Sequence, residues 1–156
     1  MSRTERVELT NMCMLTDGKG NVLVQNRVNP AWPGLVFPGG HVEPGESIVD
    51  SMVREMQEET GLTILNPKLC GIKQFWLDDG ARYIVFLFRA DRYEGELKSS
   101  REGEMMWMPR SEITPERMAK KFCFCDMLRV FEDENISEIY HPCENGVNDY
   151  YRAIFP

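Results

Sequence analysis

The chain reads as an α+β domain, a layered α-β-α arrangement around a mixed β-sheet. Three features of its 156 residues predict this. Two β-rich runs open the chain, one strongly patterned helix follows over Ser47–Thr60, and a hairpin pattern then leads into a second helical stretch. Strands, helix, hairpin and helix in that order suit layers of helix packed on sheet. The order alone leaves the sheet topology open.

Val7 to Leu15 has the composition of a strand, and Asp17-Gly18-Lys19-Gly20 that of a turn. Asn21 to Arg27 reads as the second strand, with Val22 and Val24 on one face. Asn29 to Gly34, which includes Trp32, is a loop, and Phe37-Pro38-Gly39-Gly40 enters another that ends at Gly45. Ser47 can cap a helix with Asp50 in a box-like position, and Ile48, Val49, Met52, Val53 and Met56 form its apolar stripe. Gly61 stands where a left-handed residue stops a helix. Leu69–Leu77 and Ala81–Ala90 flank the turn Asp78-Asp79-Gly80, and Met105–Met108 has the makings of a short strand. Pro115 opens a helical pattern that runs to about Glu132, with Met118, Phe122, Cys125, Leu128 and Phe131 inward. The aromatic tail from Ile139 to Pro156 fits either a returning strand or a packed irregular segment.

This length suits one domain, residues 1–156, with one sizeable core. The longest apolar run, Tyr83 to Phe88, is too short to span a bilayer, and Met1 to Leu9 is charged throughout. No membrane partner and a cytoplasmic location are the expectation. The net charge of −7 argues against gripping a nucleic-acid polymer, but not against a small phosphate substrate met through a divalent metal. The odd count of five cysteines has no disulfide-framework spacing, so reduced thiols are the simple reading. Cys123, Cys125, His141 and Cys143 offer four zinc donors, but Cys-x-Cys is tight for such a site and lies in an apolar run. Nothing in the pattern fixes the oligomeric state; a homodimer is compatible with it.

The chemistry is concentrated between Gly40 and Leu62. Residues three or four apart share a helix face, so Glu55 lies beside both Glu58 and Glu59, with Arg54 the only local cation. Three converging carboxylates destabilise a helix by tenths of a kcal/mol per pair unless something neutralises them. A hard divalent cation does so. In isolation the run reads equally as a solvated helix face.

Written out, the segment is Gly40-x5-Glu46-x7-Arg54-Glu55-Met56-x-Glu58-Glu59-x-Gly61-Leu62. At every fixed position it resembles the Nudix box, and the lead-in Phe37 to Glu43 resembles the family's approach to that box. The resemblance implies a Nudix α-β-α sandwich and a hydrolase of nucleoside-diphosphate-linked substrates. It implies Mg²⁺ or Mn²⁺ held by Glu55, Glu58 and Glu59, with the Gly39 carbonyl as a further ligand. Arg54 and Glu46 would pair to orient the helix, and Gly40 and Gly61 would serve backbone conformation. Glu55, Glu58 and Glu102 are the catalytic carboxylate candidates. Glu102, like Glu104, precedes Trp107 at a spacing where relatives often carry a glutamate.

The approach Leu23 to Arg27 and the Phe-Pro-Gly-Gly lead-in resemble the MutT group most. That resemblance implies cleavage of a nucleoside triphosphate to monophosphate and pyrophosphate, with Arg27 on phosphate. The proline typical of ADP-ribose hydrolases is missing from Leu77-Asp78-Asp79-Gly80, although another Nudix substrate such as ADP-ribose is the alternative. A non-catalytic nucleotide-binding regulator fits less well, because the box glutamates are intact and there is little room for a DNA-binding extension. Asn11, polar in an apolar strand, and Asp126, resembling a residue of oxidised-purine hydrolases, are the candidate base readers. They make 8-oxo-dGTP the expected preference.

Overall fold

Side-chain alternation along one strand sets the layers. The structure, a computed structural model, describes residues 2–150 and 152–156, with the backbone alone at 121–123. It opens with β1 (Val7–Leu15), β2 (Asn21–Arg27), β3 (Gly34–Val36) and β4 (Gly39–His41), followed by helix α1 (Ile48–Thr60). Then come β5 (Leu62–Ile64), β6 (Lys68–Trp76), β7 (Arg82–Ala90), β8 (Tyr93–Gly95) and β9 (Gly103–Pro109). A 3-10 turn over Lys121–Asp126 leads into α2 (Met127–Glu132), and β10 (Glu138–Tyr140), β11 (Cys143–Glu144) and β12 (Val147–Asn148) end the chain.

The main sheet has the order β10-β6-β7-β1-β4. It is mixed: β1 runs parallel to β7 and antiparallel to β4, while β6 runs antiparallel to β7 and parallel to β10. A second sheet, β3-β2-β9, is antiparallel throughout. Successive residues of a strand face opposite ways. Cys13 and Leu15, in register with Phe88 and Ala90, therefore bury against Met52 and Met56 of α1. Met14, Val85 and Leu87 bury on the other face with Val130 and Phe131 of α2. Two helices on opposite faces of one mixed sheet make the expected α-β-α sandwich.

The terminal signals of α1 act as the sequence predicts. Ser47 Oγ accepts from the Asp50 amide at 3.0 Å, and Gly61 closes the helix at φ 76°. Val49 departs from the expected stripe and is exposed.

Two other expectations need correction. Gly39–His41 is a strand rather than loop, pairing with Thr10–Met12. A Cβ at Gly39 would lie 2.1 Å from the Asn11 carbonyl oxygen, so glycine here allows close strand approach instead of a turn. The helix expected from Pro115 begins as α-helix only at Met127. Upstream of it the backbone is drawn to the edge of β3, where Leu35 N donates to Arg117 O and Ala119 N to Leu35 O. The tail combines both readings, short strands and irregular chain, with Tyr140 bridging to Ile154. No helix among the described residues is long and apolar enough to cross a membrane.

Candidate active site

The site is built where α1 crosses β1 and β4. Asn11 ties the three together: its amide donates to Ser51 Oγ at 2.8 Å, and its Oδ1 accepts from Gly40 N at 3.0 Å. With the helix held there, Glu55 lies flat over Gly40, and a Cβ at Gly40 would stand 2.2 Å from the Glu55 carboxyl carbon. Glu59 reaches the preceding residue, accepting from Gly39 N at 3.0 Å.

The β1–β4 ladder fixes which way Gly39 points. Cys13 N bonds Pro38 O and Val42 N bonds Leu9 O, so Met12 and Gly39 form the non-hydrogen-bonded pair between them. Both backbone polar groups of Gly39 therefore turn outward, on the side where Glu59 receives the N–H. The carbonyl is directed to the same edge.

Arg54 organises the rest. Its Nε and Nη2 grip Glu46 in a two-point bond at 2.8 and 3.0 Å, and Nη2 also donates to the His41 carbonyl at 2.9 Å. Its Nη1 donates to Glu55 at 3.0 Å and to Glu58 at 3.1 Å. One guanidinium thus joins the loop, the strand and two helix carboxylates, and these bonds hold its proton more tightly than usual, the Glu46 bond most of all. The same bond holds Glu46 below the ordinary carboxylate range.

Glu59 carries the opposite perturbation. Burial pushes its pKa up to about 7, helped by the like charges of Glu102 and Glu55 and opposed by the Gly39 N–H and by Arg27. A carboxylate crowded by two others is a place where a divalent cation lowers the energy. Among the described residues no three His, Cys, Asp or Glu side chains close into a ready-made metal cage. Mg²⁺ takes one or two carboxylates and fills its shell with waters and substrate phosphates. Glu55, Glu59 and the Gly39 carbonyl fit it, while Glu58 is exposed and drawn to Arg54.

A cleft of about 390 Å³ opens from this cluster. Asn11, Arg27, Gly39, Gly40, Glu55, Glu59 and Glu102 line it, as do Trp32, Phe75, Tyr83, Phe124 and Lys73. Glu58, Glu46, Arg54 and Gly61 stand behind it. The Arg27 guanidinium stacks 4.3 Å from the Trp32 ring, and its buried Nε has no hydrogen-bond partner. Glu102 rides on a loop held by Ser100, whose hydroxyl accepts from Glu102 N at 3.2 Å and from Gln25 Nε2 at 3.3 Å.

Two sequence expectations change here. Both ends of the Asn11 amide are engaged by protein, so in this structure it braces strand to helix rather than presenting itself to a base. Asp126 does not line the cleft, although its neighbours Phe124 and Met127 do. Of the four possible zinc donors, the Cys123 side chain lies outside the described residues, and Cys125 and Cys143 are free thiols. Sequence reading missed Lys73, Phe75 and Phe124. The available signal was a lysine in line with inward Phe75, two residues along β6.

The NUDIX domain family matches residues 8–122. The chain belongs to the Nudix family. It is 39% identical over 118 residues to the uncharacterised Nudix hydrolase YvcI of Bacillus subtilis, an alignment covering 72% of this chain and 71% of that protein. It is 37% identical over 83 residues to the oxidized purine nucleoside triphosphate hydrolase of Danio rerio, covering 53% of this chain and only 51% of that one. The crystal structure of the mutator MutT protein from Bacillus halodurans superposes with a TM-score of 0.70 at 27% identity, covering 94% of each chain. The Nudix sandwich, the MutT-like character and the reading of the chain as an enzyme therefore stand. Of the three glutamates in the segment that resembles the Nudix box, Glu55 and Glu59 line the cleft, and Glu58 stands behind it on Arg54.

Proposed function

We propose that this Nudix enzyme hydrolyses a nucleoside triphosphate to the monophosphate and pyrophosphate, using Mg²⁺ or Mn²⁺. The observation that carries the reading is one cleft lined by carboxylates and aromatic rings together. Glu55, Glu59 and Glu102 line it with Trp32, Phe75, Tyr83 and Phe124, and Arg27, stacked on Trp32, lies in the field of Glu59. Such a cleft accommodates a triphosphate and a flat base together.

Glu55 and Glu59 with the Gly39 carbonyl would hold the divalent ion, and Glu58, paired with Arg54, would add negative charge from behind. When bound, that ion neutralises phosphate charge and lowers the pKa of an attacking water. The protein supplies the rest. Arg54 fixes the helix carboxylates in place, and Arg27 contributes positive charge along the phosphate path. Glu102, opposite Glu59, accepts the proton of the attacking water, with Glu55 the competing base. Attack falls on the β-phosphorus, so the monophosphate leaves. Among triphosphates, 8-oxo-dGTP is the substrate we favour, supported by the name of the Danio rerio relative.

The test is a panel of nucleoside triphosphates and ADP-ribose with Mg²⁺ in ¹⁸O-labelled water. Pyrophosphate carrying the label is expected. Label in the monophosphate would move attack to the α-phosphorus, and turnover of ADP-ribose alone would replace the triphosphate reading.

A further inference from the structure

The end of the cleft remote from the carboxylates contains a charged side chain that the box chemistry does not use. Lys73 of β6 is 1% exposed, yet it lines the cleft. Its Nζ lies 5.4 Å from the centre of the Phe124 ring, which meets Trp32 edge-on at 5.3 Å. Two residues along the same strand, Phe75 stacks on Tyr83 at 4.8 Å.

Strand register places this end. Lys73 is opposite Val85, Val85 opposite Thr10, and Thr10 opposite His41. Lys73 therefore stands three strand spacings, about 14 Å, from β4, where Gly39 and Gly40 meet Glu59 and Glu55. A nucleotide extended along the cleft with its phosphates at the carboxylates brings its base to the Lys73 end.

Aromatic walls accept any base, so discrimination falls to polar groups. Those nearer the carboxylates hold the site together. The Thr10 hydroxyl donates to Ile84 O, Asn11 braces α1, and Gln25 bonds the loop of Glu102. Lys73 also interacts within the protein, His141 lying in its field, but an ammonium has three N–H donors and no acceptor, enough for a protein partner and a ligand together. Set at the base end, it favours an exocyclic oxygen and opposes an exocyclic amino group, whose own hydrogens would face it.

We propose that Lys73 is a specificity-determining residue that selects nucleotides whose base carries a keto oxygen, at C6 of a purine or C4 of a pyrimidine, over their amino counterparts. The inference rests on the nucleotide reading above and deepens it. It includes guanine, hypoxanthine, uracil and oxidised guanine in one class, and sets adenine and cytosine apart.

The pairs dITP against dATP and dUTP against dCTP test it, because each pair exchanges essentially that one substituent. Two readouts are needed: kcat/KM with Mg²⁺, and binding of IMP against AMP without metal, followed by tryptophan fluorescence. The wild type should favour the keto member by about 10- to 150-fold, the range for a hydrogen bond to a charged group. Lys73→Met, with a melting temperature that shows it folded, should bring both ratios to within about threefold, and Lys73→Arg should retain much of the preference. Wild-type ratios near one overturn the proposal whatever the variants do, and so does a preference that survives in folded Lys73→Met. Failure of the underlying reading has a different signature, in which no triphosphate is cut and neither monophosphate binds; the proposal then falls with it.

Discussion

The two adjacent glycines of the lead-in should fail in different ways when each is changed to alanine. At Gly40 the three atoms nearest the new Cβ all belong to the Glu55 carboxylate, its carbon at 2.2 Å and both oxygens at 2.4 Å. That group must retreat by about 1.2 Å to reach the 3.4 Å at which ordinary contact begins. The end of a glutamate can move that far, so folding should survive, but a misplacement of about 1 Å at a catalytic group costs on the order of 100-fold in rate. At Gly39 the Cβ meets backbone, 2.1 Å from Asn11 O and 2.8 Å from Met12 Cα. Backbone cannot step aside without parting β1 from β4, so Gly39→Ala should lose at least about 1–3 kcal/mol of stability, the cost of an overpacked site. Pyrophosphate release under Mg²⁺ and a thermal melt of both variants form the assay. A fully active Gly40→Ala, or a Gly39→Ala as stable as the wild type, would refute the reasoning.

Asn11→Ala should cost about 1–3 kcal/mol by removing two side-chain hydrogen bonds, to Ser51 and from Gly40, at about 0.5–1.5 kcal/mol each; denaturant unfolding checks this, and an unchanged midpoint contradicts the bracing role. Arg54→Lys keeps the charge but loses the two-point grip on Glu46, so kcat should fall at least about tenfold with little loss of stability; wild-type kcat in this variant would show that the grip is dispensable. Buried His141 has its pKa lowered to about 4, first by burial and then by the charge of Lys73, with Asp149 opposing. The unfolded imidazole titrates near 6.5, so between these values the unfolded chain binds more protons and stability falls as pH is lowered from about 6.5 to 4, by up to about 3 kcal/mol. His141→Leu should flatten that part of the profile in urea midpoints at pH 7.5 and 4.5; an equally steep loss in the variant would remove His141 as the cause.

What the sequence made legible was whatever local pattern determines. The cap at Ser47, the stop at Gly61 and the face shared by Glu55, Glu58 and Glu59 all follow from helix geometry, and the structure has them. Long-range partners were less accessible. Asn11 announced itself as a polar residue needing partners in an apolar strand, but only the packing of α1 shows that Ser51 and Gly40 supply them. Gly39-Gly40 reads as loop because glycine punctuates loops, whereas here its lack of a side chain lets an edge strand and two carboxylates come close. The helical pattern after Pro115 was real enough, but the edge of β3 competed for the same backbone groups. Lys73 was hidden because alternation in β6 is weak, and its place in the cleft depends on the register of four strands.

The most direct test of the account compares triphosphate hydrolysis by the wild type and Glu59→Gln, each with Mg²⁺ and with EDTA. Glutamine keeps the size of the side chain and can still accept from Gly39 N, but it removes the charge crowded between Glu55 and Glu102. The wild type should be active only with the metal, and the folded variant should be slower by at least about 100-fold, the scale of losing one electrostatic group from such a site. Full wild-type activity in EDTA, or an unimpaired Glu59→Gln, would contradict this.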